Sequence, residues 1–205
     1  MINKLRQKLK GFTLVETLIA VLLLATAIAG PLTIASKSLI VALVAKDQVT
    51  AFFLAQDGVE YIRFIRDTNK LQNADWIDGT GGDYTGVDMS PCLNSNGCYT
   101  DSTGQQINSG GNNILACGSL CPFMRYGSLN DSNPANDRFR YWPTNSTNEP
   151  TTIFRRTIKL TPGTNPEEAT VEVTVSWSDT GGVTGAGCPT GTRCVIVREN
   201  IFDWQ

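Results

Sequence analysis

One carboxylate stands inside a long apolar stretch near the beginning of the chain. Residues 12–36 are 25 consecutive positions with a single charged side chain, Glu16. About 20 apolar residues are enough for a helix to cross the hydrocarbon core of a bilayer. A charge at the centre of such a helix costs roughly 2.5–3.5 kcal/mol, and less near its end, so a carboxylate in this position is a candidate functional group. We therefore predict a membrane-spanning helix over residues 12–36 in which Glu16 has a specific role.

The residues before this stretch are basic. Residues 1–10 contain no acidic side chain, and their positive side chains are Lys4, Arg6, Lys8 and Lys10. Because positively charged flanks stay on the cytoplasmic side of a membrane, we expect this leader in the cytoplasm and the C-terminal part of the chain across the membrane.

The order of these features resembles the class III signal of type IV prepilins and pseudopilins. The resemblance is carried by the basic leader, the segment from Gly11 to Glu16 (GFTLVE) and the apolar run behind it. In that family the prepilin peptidase cuts after the glycine, and the new N-terminal residue is N-methylated. The resemblance implies a leader of residues 1–11, cleavage between Gly11 and Phe12, and methylation of Phe12. It also implies an assembly role for Glu16, which would pair with the N-terminal amine of a neighbouring subunit.

A conventional secretory signal peptide is the alternative for the same residues. Ala27-Ile28-Ala29 has the small residues of a signal-peptidase site, and cleavage there would leave Gly30 first. Glu16 inside the apolar region and Pro31 just after the cut are unusual in such a peptide. In a continuing helix, Pro31 removes a backbone donor and clashes one turn back, so Gly30 and Pro31 predict a helix kink.

A helical periodicity continues after the apolar stretch. Apolar residues recur at intervals of three and four and predict an amphipathic helix over residues 37–70: Val49, Phe52, Ala55, Val59, Ile62 and Ile65. Gly58 is expected to weaken this helix by ~1 kcal/mol relative to alanine. The segment from Leu54 to Glu60 resembles the helix of PilV-like minor pilins.

The cysteines fall in close pairs beyond the apolar helix. An even number of cysteines on the side that the topology makes extracytoplasmic predicts disulfides, and the spacing favours nearest-neighbour bonds. Zinc is the weaker alternative, because the chain has no histidine and two pairs are spaced more widely than zinc ligands usually are. The pairs are Cys92/Cys98, Cys117/Cys121 and Cys188/Cys194.

The remainder of the chain predicts a loop followed by a sheet. Residues 71–137 are rich in glycine and small polar residues, which predicts a long loop held by the first two cysteine pairs. Residues 138–205 form an antiparallel β-meander by prediction, with its apolar face on the helix. Its strands are the alternating segments 138–142, 153–160, 169–177 and 194–202. The expected class is α+β, in the helix–loop–sheet order of the pilin fold.

No catalytic constellation is found in the sequence. Without histidine there is neither a Ser-His-Asp nor a Cys-His arrangement, and no glycine loop has the context of a phosphate site. The formal net charge is −2, and four of the basic side chains lie in the leader. The rest of the chain is therefore acidic and does not have the excess of positive charge that binds nucleic acid. We therefore expect no enzymatic activity, no cofactor and no metal. Four aspartates do not have EF-hand spacing and predict turns, with calcium binding as the minor alternative. They are Asp75, Asp78, Asp83 and Asp88.

The resemblance implies a structural subunit, a minor pilin or pseudopilin, of a type IV pilus (a fimbrium) or a type II secretion-like fibre. Its implied partners are the prepilin peptidase and methyltransferase, other pilin subunits in a helical fibre, the inner-membrane assembly platform and, before assembly, membrane lipid. The precursor is expected in the cytoplasmic (inner) membrane with its C-terminus outside, and then in an extracellular or periplasmic fibre. The alternative is a membrane-anchored or secreted extracytoplasmic binding module whose cysteine-held loop contacts a surface or a sugar.

Overall fold

A computed structural model describes residues 11–83, 86–101, 113–128, 139–143, 151–178, 188 and 191–203, with residues 128, 139, 140, 142 and 143 described by their backbone alone. One helix, α1, spans Leu14–Leu71, and a short 3-10 helix spans Ser90–Leu93. The strands described are β1 Cys98–Thr100, β2 Ile114–Ala116, β3 Phe123–Ser128, β4 Phe139–Pro143, β5 Thr151–Pro162, β6 Glu168–Trp177 and β7 Arg193–Phe202. The predicted α+β class, one long N-terminal helix followed by an antiparallel sheet packed on it, is confirmed.

The chain divides between Lys46 and Asp47 into two compact units, and α1 contributes residues to both. In the first unit every side chain from Leu14 to Leu43 is exposed, and most are large and apolar. By length and composition this helix could cross a membrane. A helix satisfies its own backbone hydrogen bonds, which is what a segment needs when no water is available to pair with it.

The helical structure of α1 continues through Gly30 and Pro31. Pro31 has no N–H to donate to the carbonyl of Ala27, one turn earlier. The hydroxyl of Thr33 donates to the carbonyl oxygen of Ala29 at 2.8 Å, a bond that satisfies the side chain within its own helix. The kink predicted at this place stays a prediction.

In the second unit α1 buries one face against the sheet. The buried residues of this face are Ala51, Leu54, Ala55, Gly58, Val59, Ile62, Ile65 and Asn69. The predicted stripe is therefore partly wrong, because Val49 is 55% and Phe52 44% exposed. The true face is rotated toward Ala51, Leu54 and Gly58, and its small residues leave room for the side chains of β5 and β6.

Side chains of β5 and β6 pack directly on α1 at Gly58. A Cβ built on Gly58 would lie 3.1 Å from Cγ1 of Val173, 3.3 Å from Cδ of Arg156 and 3.4 Å from Cδ1 of Ile158. The sequence identified this glycine only as a helix-weakening residue. Its missing side chain is instead what lets β5 and β6 pack directly on the helix backbone.

We expect replacement of Gly58 by leucine to lower the free energy of unfolding by about 1–3 kcal/mol, because the added side chain must push β5 and β6 away from α1. Chemical denaturation of the purified protein measures this change. Gln56→Leu adds a similar side chain on the exposed side of the same helix turn and should have little effect. Equal losses from both variants would show that the glycine has no role in close packing.

The sheet is built around β5. Along one edge β5 pairs with β6 from Phe154↔Trp177 to Pro162↔Ala169, and β6 pairs in turn with β7. On its other edge β5 pairs with β1 at Ile158 and with β3 between Thr151 and Arg155. Strand β2 lies outside β1 and β4 lies outside β3, and all these pairings are antiparallel.

Two parts of the predicted layout need correction. The segment predicted as a loop over residues 71–137 contains the 3-10 helix and three strands, and β3 lies between β4 and β5. The consecutive meander is therefore limited to β5, β6 and β7. Strands β1 and β2 have three residues each, too few for an alternating pattern. Strand β1 pairs with β5 and with β2, and Cys98 and Ile114 are buried in the core.

The core lies between the buried face of α1 and the sheet. Alternate residues of β6 point toward the helix and are almost completely buried: Ala169, Val171, Val173, Val175 and Trp177. Phe154, Ile158 and Leu160 continue the same face on β5. A second, smaller cluster packs Tyr99 and Leu115 around Cys117 and Cys121.

Strand β5 also places one arginine inside this core. The Arg156 side chain is 2% exposed, and its guanidinium lies 2.5 Å from the carboxylate of Asp57 on α1. It also donates to the carbonyl oxygens of Leu54, at 3.2 Å, and Thr100, at 3.0 Å. These bonds supply the partners that a buried charge requires, and they tie α1, β1 and β5 together.

The neighbouring Arg155 points to the opposite face of the sheet, as alternation along a strand requires. Its guanidinium lies 4.2 Å from the ring centroid of Phe123 and donates to the carbonyl oxygen of Cys121. Burial lowers the pKa of Arg155 from its ordinary value, because the charged form loses water. The two adjacent arginines of β5, Arg155 and Arg156, are therefore both buried, one on each face of the sheet.

Arg156→Met is expected to lower the free energy of unfolding by roughly 3 kcal/mol, since it removes the buried bonds between helix and sheet. Asp57→Asn should cost less, because the Asp57 side chain is 46% exposed and Arg156 keeps its two carbonyl partners. Urea denaturation of both variants at pH 7 compares them. A larger loss for Asp57→Asn than for Arg156→Met would contradict this account of the pair.

Candidate processing and assembly site

Gly11, Phe12 and Thr13 lie in an exposed, non-helical segment directly before α1. A Cβ built on Gly11 would have no atom within 4 Å, and the Phe12 side chain is 79% exposed. The peptide bond between Gly11 and Phe12 therefore lies outside helical hydrogen bonding. An extended, accessible bond is the form in which a protease can bind a substrate backbone.

Thr13 caps the first turn of α1. Its hydroxyl oxygen accepts a hydrogen bond from the backbone N–H of Glu16 at 3.3 Å, and its carbonyl oxygen accepts from the N–H of Thr17 at 3.1 Å. Threonine at the cap and glutamate three residues later form the sequence signature of a capping box. This residue was missed in the sequence analysis, although the T-x-x-E spacing is the signal that identifies it.

Glu16 lies in the first helical turn with its side chain exposed. A carboxylate there is favoured by the partial positive charge of the helix N-terminus. Within residues 11–36 it is the only charged side chain, and the described residues give it no ion pair. The structure therefore brings Gly11, Phe12, Thr13 and Glu16 together within one turn at the start of the helix, with the carboxylate available to a cation.

Gly30 and Pro31, the other predicted positions of the first unit, lie four turns further along the same helix. The alternative signal-peptidase site at Ala27-Ile28-Ala29 lies inside continuous helix, so its peptide bonds are hydrogen-bonded within α1. A helical backbone does not offer an extended bond to a protease. The cut after Gly11 stays a prediction.

All six cysteines form disulfides, between nearest neighbours in the sequence. Cys92–Cys98 joins the 3-10 helix to β1, with Cα atoms 4.5 Å apart and both residues fully buried. The other two bonds close the connection between β2 and β3 and tie the chain before β7 to that strand: Cys117–Cys121 and Cys188–Cys194. Zinc has no free thiolate to bind in this arrangement.

The aspartates considered for calcium accept hydrogen bonds inside turns. Asp75 accepts from the N–H groups of Ile77 and Asp78, and Asp88 accepts from that of Ser90. Bonds from the side chain and the backbone of Thr80 lower the pKa of Asp78. Asp83 accepts from the side-chain amide of Asn73 at 2.9 Å. Within the described part of the chain, no group of His, Cys, Asp and Glu side chains has the arrangement of a metal site.

The tryptophans give no exposed aromatic surface in the part of the chain that the structure describes. Trp76 and Trp177 are buried in the main core. The side chains of Trp142 and Trp204 lie outside the described residues.

Comparison with known proteins identifies the N-terminal region. Residues 6–30 match the prokaryotic N-terminal methylation motif, which covers 25 of the 205 residues. No curated protein and no solved structure matches the chain. The chain thus carries the methylation motif of type IV prepilin-like substrates, a motif that implies processing by a prepilin peptidase and assembly with other pilins. Together with the apolar helix it fits a membrane-anchored precursor and indicates a structural subunit.

Proposed function

We propose that this protein is a structural subunit, a minor pilin or pseudopilin, of a type IV pilus or a type II secretion-like fibre. The observation that carries the proposal is the position of the methylation motif. It spans the junction at which the exposed, non-helical Gly11–Phe12 bond leads directly into a long apolar helix. The prepilin peptidase cuts this bond, and Phe12 becomes the N-methylated first residue of the mature chain.

Before assembly, residues 12–36 span the cytoplasmic membrane with the basic leader inside. The four positive side chains of residues 1–10 support this orientation. The three disulfides of the second unit also support it, because disulfides persist in oxidising compartments and not in the cytoplasm. The sheet domain is accordingly extracytoplasmic, and the inner-membrane platform moves the subunit from lipid into a fibre outside.

Cleavage acts as a switch on assembly. It creates an α-amine at Phe12, a cation in a region where Glu16 is otherwise the only charge. In the fibre Glu16 pairs with the amine of the adjacent subunit, because an ion pair in an apolar environment is strongly preferred over two separate charges. That pairing sets the axial register between subunits while the apolar helices pack side by side.

The choice of a minor subunit rests on the second unit. Strands β1 to β4 and two disulfides occupy the segment between α1 and β5, which makes an elaborate outward surface for a subunit. The segment from Leu54 to Glu60, which resembles PilV-like minor pilins, includes Gly58, on which side chains of β5 and β6 pack. In the same segment Leu54, Ala55 and Val59 are buried on the face of α1 that contacts the sheet.

We expect the mature protein from its native host to begin at N-methylphenylalanine, Phe12. Intact-mass and N-terminal peptide mass spectrometry measure the terminus and the methyl group together. A terminus at Gly30 would instead identify a secreted binding module released by signal peptidase, and it would overturn the proposed role in a fibre. Gly11→Val, which blocks the proposed cut, should leave the full-length precursor in the membrane.

Glu16→Gln is expected to be cleaved normally but to enter fibres at least about tenfold less efficiently, because the amine of the next subunit loses its charged partner. Immunoblots of sheared fibres against the membrane fraction give the ratio of assembled to unassembled subunit. Glu167→Gln removes a charge from the exposed turn between β5 and β6 and serves as the matched control. Normal incorporation of Glu16→Gln would show that the carboxylate does not set the register.

A further inference from the structure

A polar cavity opens on the face of the sheet opposite α1. It has a volume of about 190 Å³. Its lining consists of Ser95, Asn96, Gly97, Thr157, Lys159, Glu172 and Thr174. No aliphatic or aromatic side chain lines it, whereas the opposite face of the same strands is the apolar core. Pockets for drug-sized ligands have volumes of about 300–1,000 Å³. This cavity is smaller and can hold a ligand of about one small ring.

The wall of the cavity is a turn held rigidly against β5. Gly97 has a φ of +70°, and a Cβ there would lie 2.5 Å from the carbonyl oxygen of Ile158. Its carbonyl oxygen accepts from the N–H of Cys117 at 2.9 Å, and the side-chain amide of Asn96 donates to the carbonyl oxygen of Gly118 at 2.6 Å. The neighbouring Cys92–Cys98 disulfide fixes the same turn. A ligand would therefore meet a preformed surface, which reduces the entropy cost of binding.

The floor consists of two cross-strand pairs on β5 and β6. Thr157 lies opposite Thr174, and Lys159 lies opposite Glu172. The Thr174 side chain is buried, and neither threonine hydroxyl has a side-chain hydrogen bond among the described residues. Hydroxyl groups that both donate and accept match the hydroxyl groups of a polyol.

Of the two charged side chains in the floor, Glu172 is in an ion pair and Lys159 is not, among the described residues. Glu172 accepts from Nε of Arg198 on β7 at 2.5 Å, so its charge is balanced by that arginine. Within the described chain no carboxylate lies within 4.0 Å of the Lys159 ammonium, although Glu172 is its cross-strand neighbour. The cavity therefore carries one unbalanced positive charge beside a row of hydroxyls. This arrangement is suited to a small ligand with one carboxylate and several hydroxyl groups.

We propose that the cavity binds a single acidic sugar unit of the uronic acid type, free or at the end of a glycan. The ligand carboxylate pairs with Lys159, and ring hydroxyls bond to Thr157, Thr174 and the free amide oxygen of Asn96. This binding role is independent of the assembly role of Glu16, because every residue of the cavity lies in the second unit. Failure of either proposal leaves the other in place.

Saturation-transfer difference NMR on the full chain in polyoxyethylene detergent, which contains no sugar, tests the proposal. The probes are glucuronate, glucose and acetate, each titrated at pH 7. We expect saturable binding of glucuronate, with glucose and acetate weaker because each lacks half of the recognised groups. Lys159→Met should weaken glucuronate binding by about tenfold, and Lys159→Arg should restore most of it.

Two matched controls define the site. Lys37→Met removes the same charge from α1, and Thr161→Val removes a hydroxyl from the same face of β5, outside the cavity; neither should change binding. Thr174→Val should weaken glucuronate and glucose alike. The proposal is overturned if glucuronate shows no saturable binding to the wild-type chain, or if Lys159→Met and Lys37→Met reduce it equally. Acetate binding as tightly as glucuronate would also overturn it, because it would reduce the site to a simple attraction of anions.

Discussion

The packing of α1 against the sheet is the contact on which the second unit depends. A helix with small residues on one face and a sheet with β-branched residues on the facing strands can approach closely, and side chains of β5 and β6 pack against Gly58. Arg156 is enclosed in the same contact and is satisfied by Asp57 and by two backbone carbonyls. The strands on both edges of β5 are positioned by this central contact, since β1, β3 and β6 all pair with β5.

The first part of α1 obeys a different constraint. Its side chains are mainly apolar and are exposed from Leu14 to Leu43, so the residues that the structure describes do not cover them. In a bilayer or a fibre, lipid or other helices cover such a surface. Within residues 14–36 the only charge is Glu16, placed in the first turn by the Thr13 cap, where the helix dipole favours it. A single helix thus combines a segment that needs other molecules with a segment that is buried by its own sheet.

The disulfide-held segment between helix and β5 links stability to surface chemistry. Short strands such as β1 and β2 have little intrinsic stability, and the Cys92–Cys98 bond closes a loop that includes the turn at Gly97. That turn rests on the backbone of β5 and forms one wall of the polar cavity. The cavity on the far face of the sheet is therefore a shaped polar surface, in contrast to the apolar face on α1.

The sequence by itself determined the elements whose signals are local and repeated. The apolar run after Gly11 predicts the helix, and the alternating segments predict β4 to β7 to within two residues at each end. The close cysteine spacing favours the disulfide pairs that the structure contains. The methylation motif is likewise readable in the residues from Gly11 to Glu16, because a protease recognises a local sequence.

Tertiary structure alone decided the features that depend on residues far apart in the chain. The position of β3 between β4 and β5 and the pairing of β1 with β5 join residues that no short window of sequence contains. The buried face of α1 shifted from Val49 and Phe52 to Ala51 and Gly58, because the distance to the sheet, and not hydrophobicity, selects the residues that fit. The cavity at Lys159 exists only because pairing places Thr174 and Glu172 beside β5 while the turn at Gly97 closes over them.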